Sequence, residues 1–152
     1  MGDRHGWNSW NEYQSAHEGC LRHYATFFVA SDTVEFEKTA QTIYADGTLY
    51  CLSGIEIAVR KTLETRTDKG RVQVRTAEYS YHVMRRVAGE VTNLFRYDNI
   101  HLHAGHRDKH HKHIYREDGT DAIQHVGYDN WPTLAEVIEE AHTWWSENIT
   151  DP

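Results

Sequence analysis

From Thr33 to Tyr97 the chain passes through one strand pattern after another, separated only by turn signals, with no helical periodicity between them. This constrains the fold more than any other feature, because parallel strands need a crossover of a dozen or more residues, usually a helix. Strands that follow one another through tight turns make an antiparallel meander. The pattern gives strands at Thr33 to Lys38 and Thr42 to Tyr44, a turn at Ala45-Asp46-Gly47 from its Asp-Gly pair, and a strand from Thr48 to Leu52. After a break at Ser53-Gly54, Ile55, Ile57, Val59 and Leu63 alternate with Glu56, Arg60 and Glu64, as in a sheet with one buried face. Thr67-Asp68-Lys69-Gly70 then turns the chain into Val72, Val74 and Thr76. Parity shifts next, to Tyr79, Tyr81 and Val83, which marks a bulge or bend inside one long strand. A turn around Ala88-Gly89-Glu90 precedes Val91 to Tyr97.

Helical patterns flank the strands. Trp7, Trp10, Tyr13, His17, Leu21 and Tyr24 recur at three- and four-residue steps, with Asn8 or Ser9 as N-cap and Gly19 as a place to end or bend the helix. The stripe packs on the sheet or on a second protein, and the sheet is favoured because large aromatics mostly supply buried area. At the other end, Thr133 and Glu136 fit a capping box after Pro132. Leu134, Val137, Ile138, Ala141, Trp144 and Trp145 follow as one apolar stripe to about Glu147, opposite an acidic face of Glu136, Glu139, Glu140 and Glu147. The expected architecture is α+β, an antiparallel meander with an N-terminal helix and a C-terminal amphipathic helix packed on it. Residues 1–30 form an N-terminal aromatic helical segment and residues 31–152 a single α+β domain.

A chain of 152 residues can bury a core without staples. Cys20 and Cys51 lack metal-type spacing and are expected as free thiols in a reducing compartment. With no run of about 18 apolar residues, and a polar start at Asp3, Arg4 and His5, the protein is expected to be cytoplasmic. A net charge of −7 argues against nucleic-acid binding by the whole surface and leaves room for one local cleft.

Such a cleft is suggested between Arg96 and Arg116. Six of the twelve histidines fall between positions 101 and 113, and the segment carries a formal +3 while the rest of the chain sums to −10. A cationic, titratable island on an acidic protein suits an anionic ligand, although a solvated His-rich loop is the plainer reading. If Lys109 to Arg116 is extended, His111 and His113 share one face with Lys109 and Tyr115, while His110, Lys112 and Arg116 share the other. A neutral and a protonated imidazole can act together as base and acid, as RNA cleavage requires, with a Lys or Arg stabilising the phosphorane and no cofactor. The expected catalytic set is His111 and His113, with Lys112 or Arg96 on the phosphate, Asp98 orienting, and His110 and His82 nearby. His82 either points into the site or lies on the polar face. Arg107, Lys109, Arg116 and Tyr97 are the expected RNA contacts. Zinc is the competing use of these residues, through His101-Leu-His103 and His111-Lys-His113 with Asp98 or Asp108, disfavoured by the adjacent cations.

Tyr79-Ser-Tyr-His82, Phe95-Arg-Tyr-Asp-Asn99, His110-His-Lys-His113 and Pro132-Thr-Leu-Ala-Glu-Val-Ile-Glu-Glu140 together resemble the TumE-type toxins of bacterial and archaeal toxin–antitoxin pairs. The likeness covers roughly residues 40 to 145. Lys109 stands where that family has a proline before its His-His-Lys-His run, and Ile100 to His106 is unusually His-rich. The resemblance implies a small toxin neutralised by a cognate helix-turn-helix antitoxin, and an RNA target follows from the chemistry above. The alternative function is a non-catalytic protein- or metal-binding module using the His-rich loop, and a homodimer is among the partner states expected.

Overall fold

The computed structural model describes residues 5–102 and 105–149. In chain order, β1 (Asn8–Ser9) leads into helix α1 (Trp10–Ala25), then β2 (Val29–Asp32), β3 (Glu35–Lys38) and β4 (Thr42–Cys51). A short 3-10 turn (Leu52–Gly54) joins β4 to β5 (Ile55–Asp68), followed by β6 (Arg71–Val87), β7 (Glu90–Asp98), β8 (His111–Tyr115), β9 (Asp121–His125) and helix α2 (Leu134–Asn148). Among the described residues these strands form one antiparallel sheet in the order β2-β4-β5-β6-β7-β8-β9, with β3 also on β4 and β1 on β6. The α+β meander is as the sequence pattern requires.

Asp46-Gly47 is not a turn, since β4 runs straight through it. Its glycine serves a close approach instead. The chain crosses from β2 to β3 against this point, and a Cβ on Gly47 would lie 2.4 Å from the Val34 Cα. Two-residue turns do occur at Lys69-Gly70 and Ala88-Gly89, where both residues of each pair have positive φ, as the twist-matched hairpin turn demands. The parity shift in β6 is a bulge. Thr62 faces Glu78 and Leu63 faces Thr76, so Ala77 is the extra residue. Asn99 clamps it, donating to the Ala77 carbonyl (2.9 Å) while its Oδ1 accepts from the Tyr79 N–H (2.9 Å).

Both helices cover one face of the sheet. Val137, Ile138, Ala141 and Leu134 of α2 and Tyr24 of α1 share a core with Phe28, Leu49, Ile55, Ile57, Val59, Tyr79, Tyr81 and Val83. The capping box at Thr133 and Glu136 makes both of its bonds, 3.3 and 3.0 Å. In α1, Ser9 is the cap and the helix continues through Gly19. Its aromatic stripe divides. Tyr24 enters the main core, Trp10 and Tyr13 pack on a smaller cluster of Ile43, Leu63 and Val74, and Trp7 precedes the helix and stacks under Arg66 and Arg75. Cys20 and Cys51 are free thiols, and no helix among the described residues is long and apolar enough to cross a membrane.

Candidate active site

The open face of the sheet is built by register. Ser80 pairs with Asp98 and His82 with Arg96, while Asp98 faces His111 and Arg96 faces His113 across β7 and β8. Paired residues share a face, so Arg96, Asp98, His111, His113 and His82 converge away from the helices. Asp98, His111 and His113 are buried.

The bonds within the cluster assign one donor nitrogen to each ring. His111 Nδ1 lies 2.7 Å from the Lys109 carbonyl, which can only accept, so Nδ1 carries hydrogen. His111 Nε2 lies within ion-pair distance of Asp98 Oδ1, at 2.9 Å. His113 Nδ1 is 2.7 Å from Asp121 Oδ2, and its Nε2 receives Arg96 Nη2 at 3.0 Å, the arrangement of a neutral imidazole with its lone pair at Nε2. The two Nε2 atoms stand 3.1 Å apart. Arg96 Nε also donates to Asp98 Oδ2 at 2.8 Å, with the guanidinium one-third exposed (33%). Two carboxylates thus face one guanidinium and two imidazoles, partners that offset the cost of burying charge.

Asp121 is the member that sequence reading missed. Its carboxyl is held below the usual carboxylate range, chiefly by the bond to His113. The turn at Glu117 to Thr120 carried the signal, since folding back there sets Asp121 opposite Tyr115, one side-chain row from His113.

Lys112 and Tyr97 lie on the helix side. Lys112 Nζ bonds Glu140 at 2.6 Å and sits over the Phe95 and Tyr97 rings, and Tyr97 donates to Glu140 at 2.5 Å. His110 is also on that side, 3.0 Å from the Tyr79 hydroxyl and stacked on Trp131. Burial holds the His110 imidazole below its ordinary value. His82 joins the open face beside Arg96 and Tyr115, lowered by burial and then by the Arg96 charge, and its buried Nε2 has no hydrogen-bond partner among the described residues. Arg107, Lys109 and Arg116 are exposed around the loop and strand ends. Asp108 organises that loop by accepting from the His110 and Tyr128 N–H groups and pairing with His125. His103 lies outside the described residues, so the His101/His103 pair cannot be placed as a ligand set.

Asp98, His111 and His113 each offer one atom within 4.8 Å of the others, a set able to hold a metal ion. Their outer partners suit that use, since ligating histidines commonly donate their second N–H to a carbonyl or carboxylate. Against it, the Arg96 guanidinium already sits on two of the three ligand residues.

The protein is thus an antiparallel α+β sheet with helices on one face and an imidazole–carboxylate cluster on the other. The chain belongs to the TumE toxin family, whose model, described as Toxin TumE, matches residues 18–149. No curated protein and no solved structure matches it significantly.

Proposed function

We propose that this chain is the toxin of a type II toxin–antitoxin pair and acts on RNA as a metal-independent ribonuclease through the open-face cluster. The observation that carries the reading is the pair of imidazoles with Nε2 to Nε2 at 3.1 Å, each beside its own carboxylate, so that one can serve as base and the other as acid. His113, oriented by Asp121, takes the 2′-OH proton at Nε2. His111 supplies the proton to the leaving 5′ oxygen, and Arg96 stabilises the phosphorane. Because His111 is only 1% exposed, substrate must uncover it. A phosphate competing for Arg96 draws the guanidinium off Asp98 and opens the pair. Exposed Arg107, Lys109 and Arg116 attract the RNA backbone, while Lys112, Tyr97 and His110 support β8 from the helix side.

Expression without a partner should arrest growth in the cytoplasm. The double variant His111→Ala, His113→Ala should relieve the arrest while unfolding as cooperatively as the parent, and undiminished toxicity in that folded variant would sink the assignment. The partner is a helix-turn-helix antitoxin that covers the cationic loop, so charge reversal at Arg107 and Lys109 should weaken the complex most at low salt.

The Asp98, His111 and His113 set favours a second reading as a metal centre. Elemental analysis beside RNA incubation in chelator separates the two, since stoichiometric metal without cleavage supports the binding module.

A further inference from the structure

The alternation of β5 sends Ile55, Ile57, Val59 and Leu63 to the helix side, and Lys61 occupies the same register. A lysine at a core-facing position breaks the binary pattern, and such breaks concentrate at functional sites. Lys61 lies between the main and minor apolar clusters. Its ammonium donates to the Tyr13 hydroxyl oxygen at 2.9 Å and stands 5.4 Å from the centroids of the Tyr13 and Tyr81 rings. Among the described residues no carboxylate pairs with it.

Lys61 borders a cavity of about 510 Å³ between α1, the sheet and the start of α2, with Ala16, Cys20, Trp131 and Leu134 among its apolar walls. That volume is of ordinary ligand size, and a mostly apolar wall with a few convergent polar groups is the usual make-up of a small-molecule site. Of the other charged residues here, Glu12 is exposed and Arg75 is paired with Glu64. Burial raises the Cys20 thiol, and burial together with the Lys61 charge lowers His17, so the cation acts on poorly solvated neighbours.

We propose that this cavity binds a small monocarboxylate with an apolar body. The carboxylate accepts from Lys61 Nζ and from the Tyr13 hydroxyl, whose hydrogen is available because its oxygen already accepts from Lys61. One ammonium balances a monoanion, whereas a dianion would leave charge uncompensated in apolar surroundings. The site lies across the sheet from Arg96 and the histidine pair and stands independently of the ribonuclease reading.

The test is a calorimetric titration of the full chain with benzoate and octanoate, against benzamide and octanamide. At least one carboxylate should bind with one-to-one stoichiometry. Its amide should bind about tenfold more weakly or worse, the loss expected for one charge-assisted hydrogen bond. Lys61→Met should abolish the preference for the carboxylate, and Tyr13→Phe, which keeps the ring, should reduce it. Equal affinity for acid and amide in the parent, or no carboxylate binding up to about 1 mM, would overturn the proposal even if Lys61→Met did not fold.

Discussion

Neighbouring residues in and just before one short strand meet opposite environments. On the open side of β8, His111 and His113 are enclosed by Asp98, Arg96 and Asp121. On the helix side, His110 stacks on Trp131 and Lys112 bonds a single helix carboxylate, Glu140. Composition is the same on both sides, imidazole beside cation. The number of opposing charges in reach, and the room to reach them, distinguishes the two sides.

The largest test of that difference is Asp98→Ala. It strips the carboxylate from both Arg96 and the buried His111, and removing one partner of a buried pair should cost roughly 3 kcal/mol or more, read from the denaturant midpoint. A loss comparable to that of a surface ion pair would show that the cluster is not electrostatically closed.

Next is a paired comparison of cations. Arg96→Ala should remove toxicity in the folded protein. Lys112→Met should keep toxicity and shift stability by about 1 kcal/mol or less, as expected for a partly exposed pair. Growth assays beside thermal melts read both, and the reverse ranking would place the phosphate-binding cation on the helix side.

The smallest effect concerns pH. Burial holds His110 below its ordinary value of 6.5, so the folded state keeps it neutral while the unfolded chain takes up a proton. Its contribution is complete above pH 6.5 and is lost as pH falls through the depressed folded value. His110→Phe should therefore flatten the fall in stability on acidification, measured as unfolding free energy against pH. An unchanged slope would assign that fall to other groups, with His82, likewise lowered by burial, the first candidate.

Much of the fold was legible where local chemistry decides the outcome. The Thr133 capping box, the Gly70 and Gly89 turns and the bulge behind the parity shift at Ala77 each need only a few neighbouring residues. Asp46-Gly47 misled for the same reason. Its glycine is required by backbone arriving from Val34, which a local pattern cannot show. Gly19 misled in the other direction, because α1 is held by packing beyond its own propensity.

The sequence alone determined that strands run antiparallel, that helices close the two ends, and that residues 96 to 116 concentrate imidazole and cation. It also separated His111 and His113 from Lys112 by alternation, once an extended β8 was assumed. Only the tertiary structure decided which face the helices would cover, and so which set became the cluster. It brought in Asp121 across a second hairpin, recruited Arg96 in place of Lys112, and left Lys61 at a cavity between two cores. The physical reason is that strand register and helix docking are fixed by burying apolar area over the whole sheet. Each charged side chain must then be neutralised by whatever partners that arrangement brings within reach.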